Sequence, residues 1–288
     1  MSVSFLSPEI TKVRMITPGD VRNVLRMIDS AWRIHVRMPP GELGVKMGRM
    51  PGVITEDRAG VRGFMVVEPQ RPYAALIIAA GLRDTWSVEP YLDSVLPEIE
   101  RVARAERLPA LAHIGNVAWL IDELQERGFK VREWILAFER FGGDPPPQPP
   151  TPAWVRQAHY NDIPTIMALD GLAFNHIWRK SAGNFSEALA NADSFALAEI
   201  DGQIAGYTWY ERYNRHAHLT RLAVHPGYQG RGIGAQLLHY AISDALAAGV
   251  NMITLNTQEN NERSRTLYER FGFVHTQQRM PVLWKELG

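Results

Sequence analysis

The sequence predicts two α/β domains built on one repeated plan. Three observations lead there: a proline-rich break near the middle of the 288 residues, the same order of strand and helix signals on either side of it, and similar segment endings, Leu124-Gln-Glu-Arg-Gly-Phe129 and Leu267-Tyr-Glu-Arg-Phe-Gly-Phe273. Both endings stop a helix with glycine in the position that favours a left-handed backbone and restart a strand on phenylalanine. The break, Gly142-Gly-Asp-Pro-Pro-Pro-Gln-Pro-Pro-Thr-Pro152, favours an extended linker, because proline cannot donate to a helix or sheet ladder. The expected division is a first domain at 1–142, a linker at 143–152 and a second domain at 153–288.

Composition narrows the class. The chain is 45% hydrophobic and 22% charged, as soluble globular proteins are. Lys plus Arg and Asp plus Glu both number 31, so the overall balance points to no nucleic-acid partner and any phosphate site must be local. There is no cysteine, which excludes disulfides and thiolate chemistry. No apolar run reaches the roughly 18 residues of a membrane span, and the N-terminus lacks the basic flank and apolar core of a signal peptide. A cytoplasmic protein is expected.

In the first half, a strand is expected near Glu9–Ile16 and a helix over Pro18–Val36, with Val21, Leu25, Ile28 and Trp32 at helical spacing. Residues 38–52 read as irregular. Strands at Gly52–Glu56, Gly60–Glu68 and Tyr73–Arg83 are separated by turn signals and suggest a meander. A helix (Glu89–Glu106), a strand (Ala110–Ile114), a helix (Val117–Arg127) and a strand (Lys130–Phe141) follow. The second half repeats the order: a strand at Trp154–Ala158, a helix over Asn161–Leu172, and a polar and aromatic section with a short helix ending at Asn191. Strands at Ser194–Ile200 and Gln203–Tyr213 are joined by the hairpin signal Asp201-Gly202. Next come a strand (His216–Val224), a helix from Gly232 to Ala248, a strand (Met252–Thr257), a helix (Glu262–Phe271) and strands within Phe273–Trp284.

The chemistry concentrates at one junction, Leu222-Ala-Val-His-Pro-Gly-Tyr-Gln-Gly-Arg-Gly-Ile-Gly234. A strand runs into a glycine-rich turn and then a helix, so unpaired N–H groups and the positive end of the helix dipole face one point, which suits an anion. A Rossmann dinucleotide site needs Gly-x-Gly-x-x-Gly and a ribose-binding carboxylate after a second parallel strand, and neither stands here. A phosphate-loop NTPase needs Gly-Lys-Ser/Thr, which is absent. The pattern present is Gln229-x-x-Gly232-x-Gly234, preceded by Leu222-x-Val224-x-Pro226 and followed by Asn261-x-x-Ser264-x-x-Leu267-Tyr268-x-x-x-Gly272-Phe273. Over about Pro152–Trp284 this closely resembles the acyl-CoA-binding core of the GNAT N-acetyltransferase superfamily.

The resemblance implies a mixed, mainly antiparallel sheet flanked by helices, splayed between the His216–Val224 and Met252–Thr257 strands. It implies an acetyl-CoA-dependent N-acetyltransferase acting on an amine acceptor by direct attack. Backbone amides of Gln229, Gly230, Arg231, Gly232, Ile233 and Gly234 would hold the pyrophosphate. Leu222 and Val224 would pair through their backbone with the pantetheine arm, and Asn261 and Ser264 would line its path. For Asn261 a helix N-cap is an equal reading. Tyr268 matches the tyrosine that in this family protonates the departing thiolate, and His218 stands where many relatives carry a glutamate base. Glu211 is either an amine-binding carboxylate or a surface residue. Phe174, Trp178, Phe185, Trp209 and Tyr210 are either an acceptor wall or core. His216 and His218 share strand parity, but no third metal ligand stands out. A non-catalytic acyl-CoA-binding or regulatory module is the competing function.

The first half lacks these residues. Where its phosphate loop should stand the chain reads Gly81-Leu-Arg-Asp-Thr-Trp-Ser-Val-Glu-Pro90, which lacks the glycine pair and carries Asp84 and Glu89, charges that would repel a pyrophosphate, and the position matching Tyr268 is Leu124. A degenerate GNAT-like first domain beside a catalytic second one is expected.

Overall fold

A computed structural model describes residues 12–38, 40–58, 60–83, 87–143, 147 and 150–288. Residues 9–11 of the first expected strand, Asp84 and five of the linker positions lie outside the described residues. Two compact units emerge, one of residues 1–133 with 280–288, the other of residues 134–279.

In the first unit the order is β1 (Lys12–Met15), α1 (Val21–Ser30), β2 (Arg33–Val36), α2 (Pro40–Met47), β3 (Gly52–Asp57), β4 (Gly60–Gln70), β5 (Ala74–Leu82), α3 (Val88–Ala105), β6 (Ala110–Ile114), α4 (Ala118–Glu126) and the start of β7 (Lys130–Phe141). The second holds β8 (Trp154–Gln157), α5 (Ile163–Ala173), α6 (Ala182–Asn191), β9 (Ser194–Ile200), β10 (Gln203–Tyr213), β11 (His216–Val224), α7 (Ile233–Ala247), β12 (Met252–Gln258), α8 (Glu262–Arg270) and the start of β13 (Val274–Glu286). Among the described residues, the strand pairings within each unit are antiparallel except for one parallel pair, β5 with β6 in the first and β11 with β12 in the second. Among the described residues no helix is long and apolar enough to cross a membrane.

The units depart from the expected boundaries because the halves exchange their last strands. Ile135–Phe141 of β7 pairs antiparallel with β12, so the second unit begins before the proline segment. Val282–Glu286 of β13 pairs antiparallel with β6 and belongs to the first unit.

Two local expectations also fail. The helix expected to reach Val36 ends at Ser30, and Arg33–Val36 pairs antiparallel with β5 instead. Ile34 and Val36 are β-branched and suit a ladder, whereas Trp32, expected on the apolar helix face, is 91% exposed in the turn between. Within 38–52, α2 forms because Leu43 and Met47, four residues apart, are both fully buried.

The repeat is legible in side chains. Arg14 on β1 grips Asp20 and Glu56, and Arg156 on β8 grips Asp162 and Glu199 in the same way. In each case the carboxylate also accepts from the backbone N–H three residues before it, Thr17 or His159. The helix endings match as well: Gly128 and Gly272 have φ of 88° and 80°, and Phe129 and Phe273 donate back to Leu124 and Tyr268.

Hydrogen bonds from Arg14 and Arg156 hold the carboxyls of Asp20 and Asp162 below the usual carboxylate range. Their contribution to stability is therefore present above the unfolded-state value near 3.9 and lost as pH falls through the lower folded-state value. Urea midpoints should drop below about pH 4, and in Asp20→Asn/Asp162→Asn that drop should be shallower. An equally steep acid limb in the double variant would place the effect elsewhere.

Candidate active site at the fork between β11 and β12

The parallel pairing of β11 with β12 lasts from His216 opposite Met252 to Leu219 opposite Leu255 and then stops. On the outer sides β10 follows β11 as far as Val224, and β7 follows β12 as far as Gln258. Among the described residues, Thr220–Val224 of β11 thus has no strand partner on the β12 side, and the sheet is splayed there. The cause of the divergence is local. Trp209 pairs with Arg221 but Tyr210 with Leu219, leaving Thr220 as the extra residue of a β-bulge.

The bulge also reverses side-chain parity. Ala217 and Leu219 pack with α7 and α8 residues such as Leu238, Ile242 and Tyr268. Beyond the bulge Ala223 packs with Ile166, Leu169 and Phe185 of α5 and α6, and Leu222 and Val224 turn to Ile233 and Leu237 of α7. The apolar side chains of Leu222 and Val224 are therefore held in place while their backbone lies on the bare edge.

That edge runs into the glycine turn. Gly230 and Gly232 have φ of 81° and 79°, which L-residues adopt only with strain, and Gly232 is the N-cap of α7. The first amide of this helix to find a backbone acceptor is that of Gln236, on Gly232. Among the described residues, the N–H groups from Gly230 to Ala235 have no backbone acceptor, a row of donors at the positive end of a helix of 15 residues. Gln229 braces the row through its side chain, whose Nε2 donates to the Val224 carbonyl at 3.3 Å and whose Oε1 accepts from Arg263. The Arg231 guanidinium lies 5.4 Å from the Tyr228 ring centre.

On α8, Asn261 is the N-cap, its Oδ1 accepting from the Ser264 amide at 3.2 Å. Tyr268 follows one turn on from Ser264 along α8. Burial beside Phe138 and Phe273 pushes the Tyr268 phenol up to about 12, against the smaller opposing pull of Ser264.

The opposite face of β10 and β11 carries a polar chain. Glu211 accepts from Trp209 Nε1 at 3.1 Å and from the Thr220 hydroxyl at 2.6 Å, so it is built into the site rather than a free surface carboxylate. Its register partner is His218, whose Nδ1 lies 2.8 Å from the Thr254 hydroxyl. Burial pushes the His218 imidazole below its ordinary value and outweighs the raising effect of Glu211. His216, at the start of the strand, is exposed and outside this chain of bonds. Among the described residues no group of three or more His, Asp or Glu gathers closely enough to hold a metal.

One cluster escaped the sequence reading. Asp170 of α5 is 1% exposed, and its Oδ1 accepts from Arg221 and from the Tyr207 hydroxyl while Oδ2 accepts from the Lys180 amide at 2.9 Å. Arg221 also donates to the Trp178 carbonyl at 2.7 Å and lies 3.4 Å from the Phe174 ring centre. These bonds clamp the α5–α6 connector over β11, one bulge away from His218. They decide the aromatic question piecemeal: Phe185 and Trp209 are core, Tyr210 faces away to bond Asp244, and Phe174 and Trp178 lie on the clamped connector. Neither Asp170 nor Arg221 belongs to a local motif, so only their tertiary meeting reveals them.

Comparison with known proteins agrees with this geometry. Residues 160–273 match the Acetyltransferase (GNAT) family. That segment is a GNAT acetyltransferase domain. A Bacillus subtilis (strain 168) protein provisionally assigned as a ribosomal protein bS18-alanine N-acetyltransferase is 27% identical over 123 residues, 42% of this chain and 81% of that protein. An uncharacterized N-acetyltransferase of Mycobacterium tuberculosis is 33% identical over 95 residues, 32% of this chain and 61% of that protein. Solved structures extend the likeness in fold to nearly the whole length. A GCN5-related N-acetyltransferase from Sphaerobacter thermophilus has a TM-score of 0.66 at 16% identity, covering 98% of this chain and 97% of its own. A tandem GNAT protein from the clavulanic acid biosynthesis pathway has a TM-score of 0.66 at 13% identity, with 96% and 99% covered. The bare β11 edge thus lies within this GNAT acyltransferase domain.

The clamp of this GNAT domain has a measurable weight. Asp170→Asn leaves the Arg221 guanidinium buried without a counter-charge, which should lower unfolding stability by about 3–5 kcal/mol. Asp170→Leu/Arg221→Met, which removes both charges, should regain much of it. Urea unfolding checks both, and a double variant as unstable as the single one would mean that the clamp's geometry, not uncompensated charge, sets the cost.

Proposed function

We propose that the second unit is an acetyl-CoA-dependent N-acetyltransferase that moves an acetyl group to the primary amine of a small molecule or peptide. The observation that carries this reading is the bare β11 edge running directly into the row of amides from Gly230 to Gly234. An edge wants an amide-bearing chain beside it, the amide row wants an anion at the far end, and acetyl-CoA combines a pantetheine arm with a pyrophosphate. When bound, it supplies an activated thioester carbonyl. Leu222 and Val224 offer that arm their backbone groups, and the amides of Gly230 to Gly234, with Gly230 and Gly232 at positive φ, accept the phosphates, while the Gln229 amide is already bonded to the Pro226 carbonyl.

The amine approaches from the face of His218, Glu211 and the clamped connector. Held below its ordinary value, the imidazole of His218 is neutral near pH 7 and can take the proton that the attacking amine must lose. The base role uses one tautomer, with Nδ1–H donating to Thr254 and Nε2 free. Thr254 Oγ1 lies 3.4 Å from the Ala217 carbonyl and passes the polarity on. Glu211 places a negative charge opposite this ring and stabilises the imidazolium as it forms.

Tyr268 serves the departing sulfur as a hydrogen-bond donor. A phenol pushed up to about 12 keeps its proton throughout the working range. Complete transfer to a thiolate of ordinary pKa near 8.5 would be uphill by roughly 5 kcal/mol, so the hydroxyl stabilises developing charge more than it delivers a proton.

The test is thiol release from acetyl-CoA with a panel of small amines and peptides. A peptide with N-terminal alanine comes first, given the provisional assignment of the Bacillus relative. His218→Ala should lower kcat about 10²–10⁴-fold. Tyr268→Phe should lower kcat about 10–10³-fold, with acetyl-CoA affinity held within about twofold. Wild-type kcat in His218→Ala would remove the histidine as base. Acetyl-CoA binding without transfer to any amine or peptide would favour a non-catalytic acyl-CoA-binding module.

A further inference from the structure

The first unit repeats the fork and then fills it. Its parallel pair, β5 with β6, runs from Ala75 opposite Leu111 to Ile77 opposite His113 and stops. Immediately after, Val66 pairs with Ala79 but Val67 with Ile77, so Ile78 is the extra residue of a β-bulge. Position by position this is the fork of the second unit, with Ile77 standing for Leu219, Ile78 for Thr220, Ala80 for Leu222 and Leu82 for Val224.

Beyond its bulge, however, β5 is not bare. Strand β2 pairs with it antiparallel, Val36 opposite Ala79, His35 opposite Ala80, Ile34 opposite Gly81 and Arg33 opposite Leu82. Because β4 pairs along the other edge as far as Leu82, β2 must lie on the edge facing β6. The Arg37 amide donates to the Ile78 carbonyl at 3.0 Å. The alternation of an antiparallel ladder then gives His35 and Arg33 the hydrogen-bonded positions opposite Ala80 and Leu82. Those two stand for Leu222 and Val224, the residues whose backbone is bare in the second unit.

The side chains are fitted to this arrangement. His35 is 5% exposed and His113 fully buried, and their rings meet edge to face at 4.5 Å, joining β2 to the β6 limb of the fork. A Cβ on Gly115 would lie 2.9 Å from His35 Cε1, and one on Gly81 2.7 Å from Ile34 Cδ1, so both glycines leave room for β2. Five positions, 83–87, separate β5 from α3, against eight, 225–232, between β11 and α7.

We infer that Arg33–Val36 takes, in the first unit, the place along the sheet that an acyl-CoA pantetheine arm takes in the second, so that the chain binds one acyl-CoA and not two. The second clause rests on the function proposed for the second unit; the first does not.

Calorimetric titration of the full chain with acetyl-CoA should give one equivalent, and Gly232→Val/Gly234→Val should abolish it. In parallel, deuterium uptake by the amides of Arg33–Val36 and Ala79–Leu82 should be the same with and without saturating acetyl-CoA. His35→Pro, which removes a donor from the β2–β5 ladder, should speed exchange at Ala79–Leu82 at least tenfold. Two equivalents in the wild type, one surviving equivalent in the glycine variant, or an acetyl-CoA-dependent change at Arg33–Val36 would overturn the inference. No binding at all, with uptake at Arg33–Val36 unaltered, would uphold the filled fork and sink the function proposed for the second unit.

Discussion

The second unit depends on a parallel pairing that is deliberately short. Four residue pairs join β11 to β12, and the bulge at Thr220 then turns β11 away while β10 stays with it. One inserted residue does three things at once. It bares a strand edge, it keeps Leu222 and Val224 packed so that this edge is rigid, and it sets Arg221 and Ala223 on the α5–α6 side of the sheet. Backbone groups left bare inside a protein are costly unless something satisfies them. An unpaired stretch next to a helix start is thus a standing demand for a ligand with polar groups along its length and negative charge at its end.

The clamp around Asp170 belongs to the same constraint. Arg221 is on β11 just past the bulge, so the bulge decides on which face its guanidinium is buried. Once buried it needs a carboxylate, and Asp170 supplies one while also accepting from Tyr207 and the Lys180 amide. The α5–α6 connector is thereby tied to the strand that carries the site. In the first unit the residue standing for Arg221 is Ala79, which has no charge with which to hold a connector, and the segment between α1 and α2 forms β2. The same stretch of the repeated plan has two fates, a strand in the first unit and a clamped connector in the second.

Much of this was legible in the sequence where the signal is local. Ser194–Ile200, Gln203–Tyr213 and His216–Val224 fall at their expected bounds because alternation and the Asp201-Gly202 turn fix them, and both turn residues have positive φ. The glycine turn and the Asn261 cap were legible for the same reason, since a left-handed backbone and a helix start each demand particular residue types. What was not legible is what depends on partners far along the chain. The exchange of β7 and β13 leaves no local trace, because each strand has the same alternating pattern whichever sheet it joins. β2 was hidden because Ile28 and Trp32 continue the helical spacing of α1, and only the waiting edge of β5 makes Arg33–Val36 a strand. Asp170 was unremarkable within α5 until Arg221, Tyr207 and Lys180 closed around it.

The proton inventory of the fork gives the arrangement its direction. In the reaction proposed above, an attacking amine would shed a proton on the His218 face, and a departing sulfur would be stabilised on the Tyr268 side. The environments push the two groups in the directions these tasks need. Burial keeps His218 neutral and able to accept, and burial keeps Tyr268 protonated and able only to donate. The same force, loss of water, acts on a base that is cationic when protonated and on an acid that is anionic when deprotonated, and so moves them apart. Under the proposed reaction, then, the two groups keep distinct roles near neutrality. Under that proposal, the bulge that opens the β11 edge also leaves the proton acceptor and the hydrogen-bond donor on opposite faces of the strand.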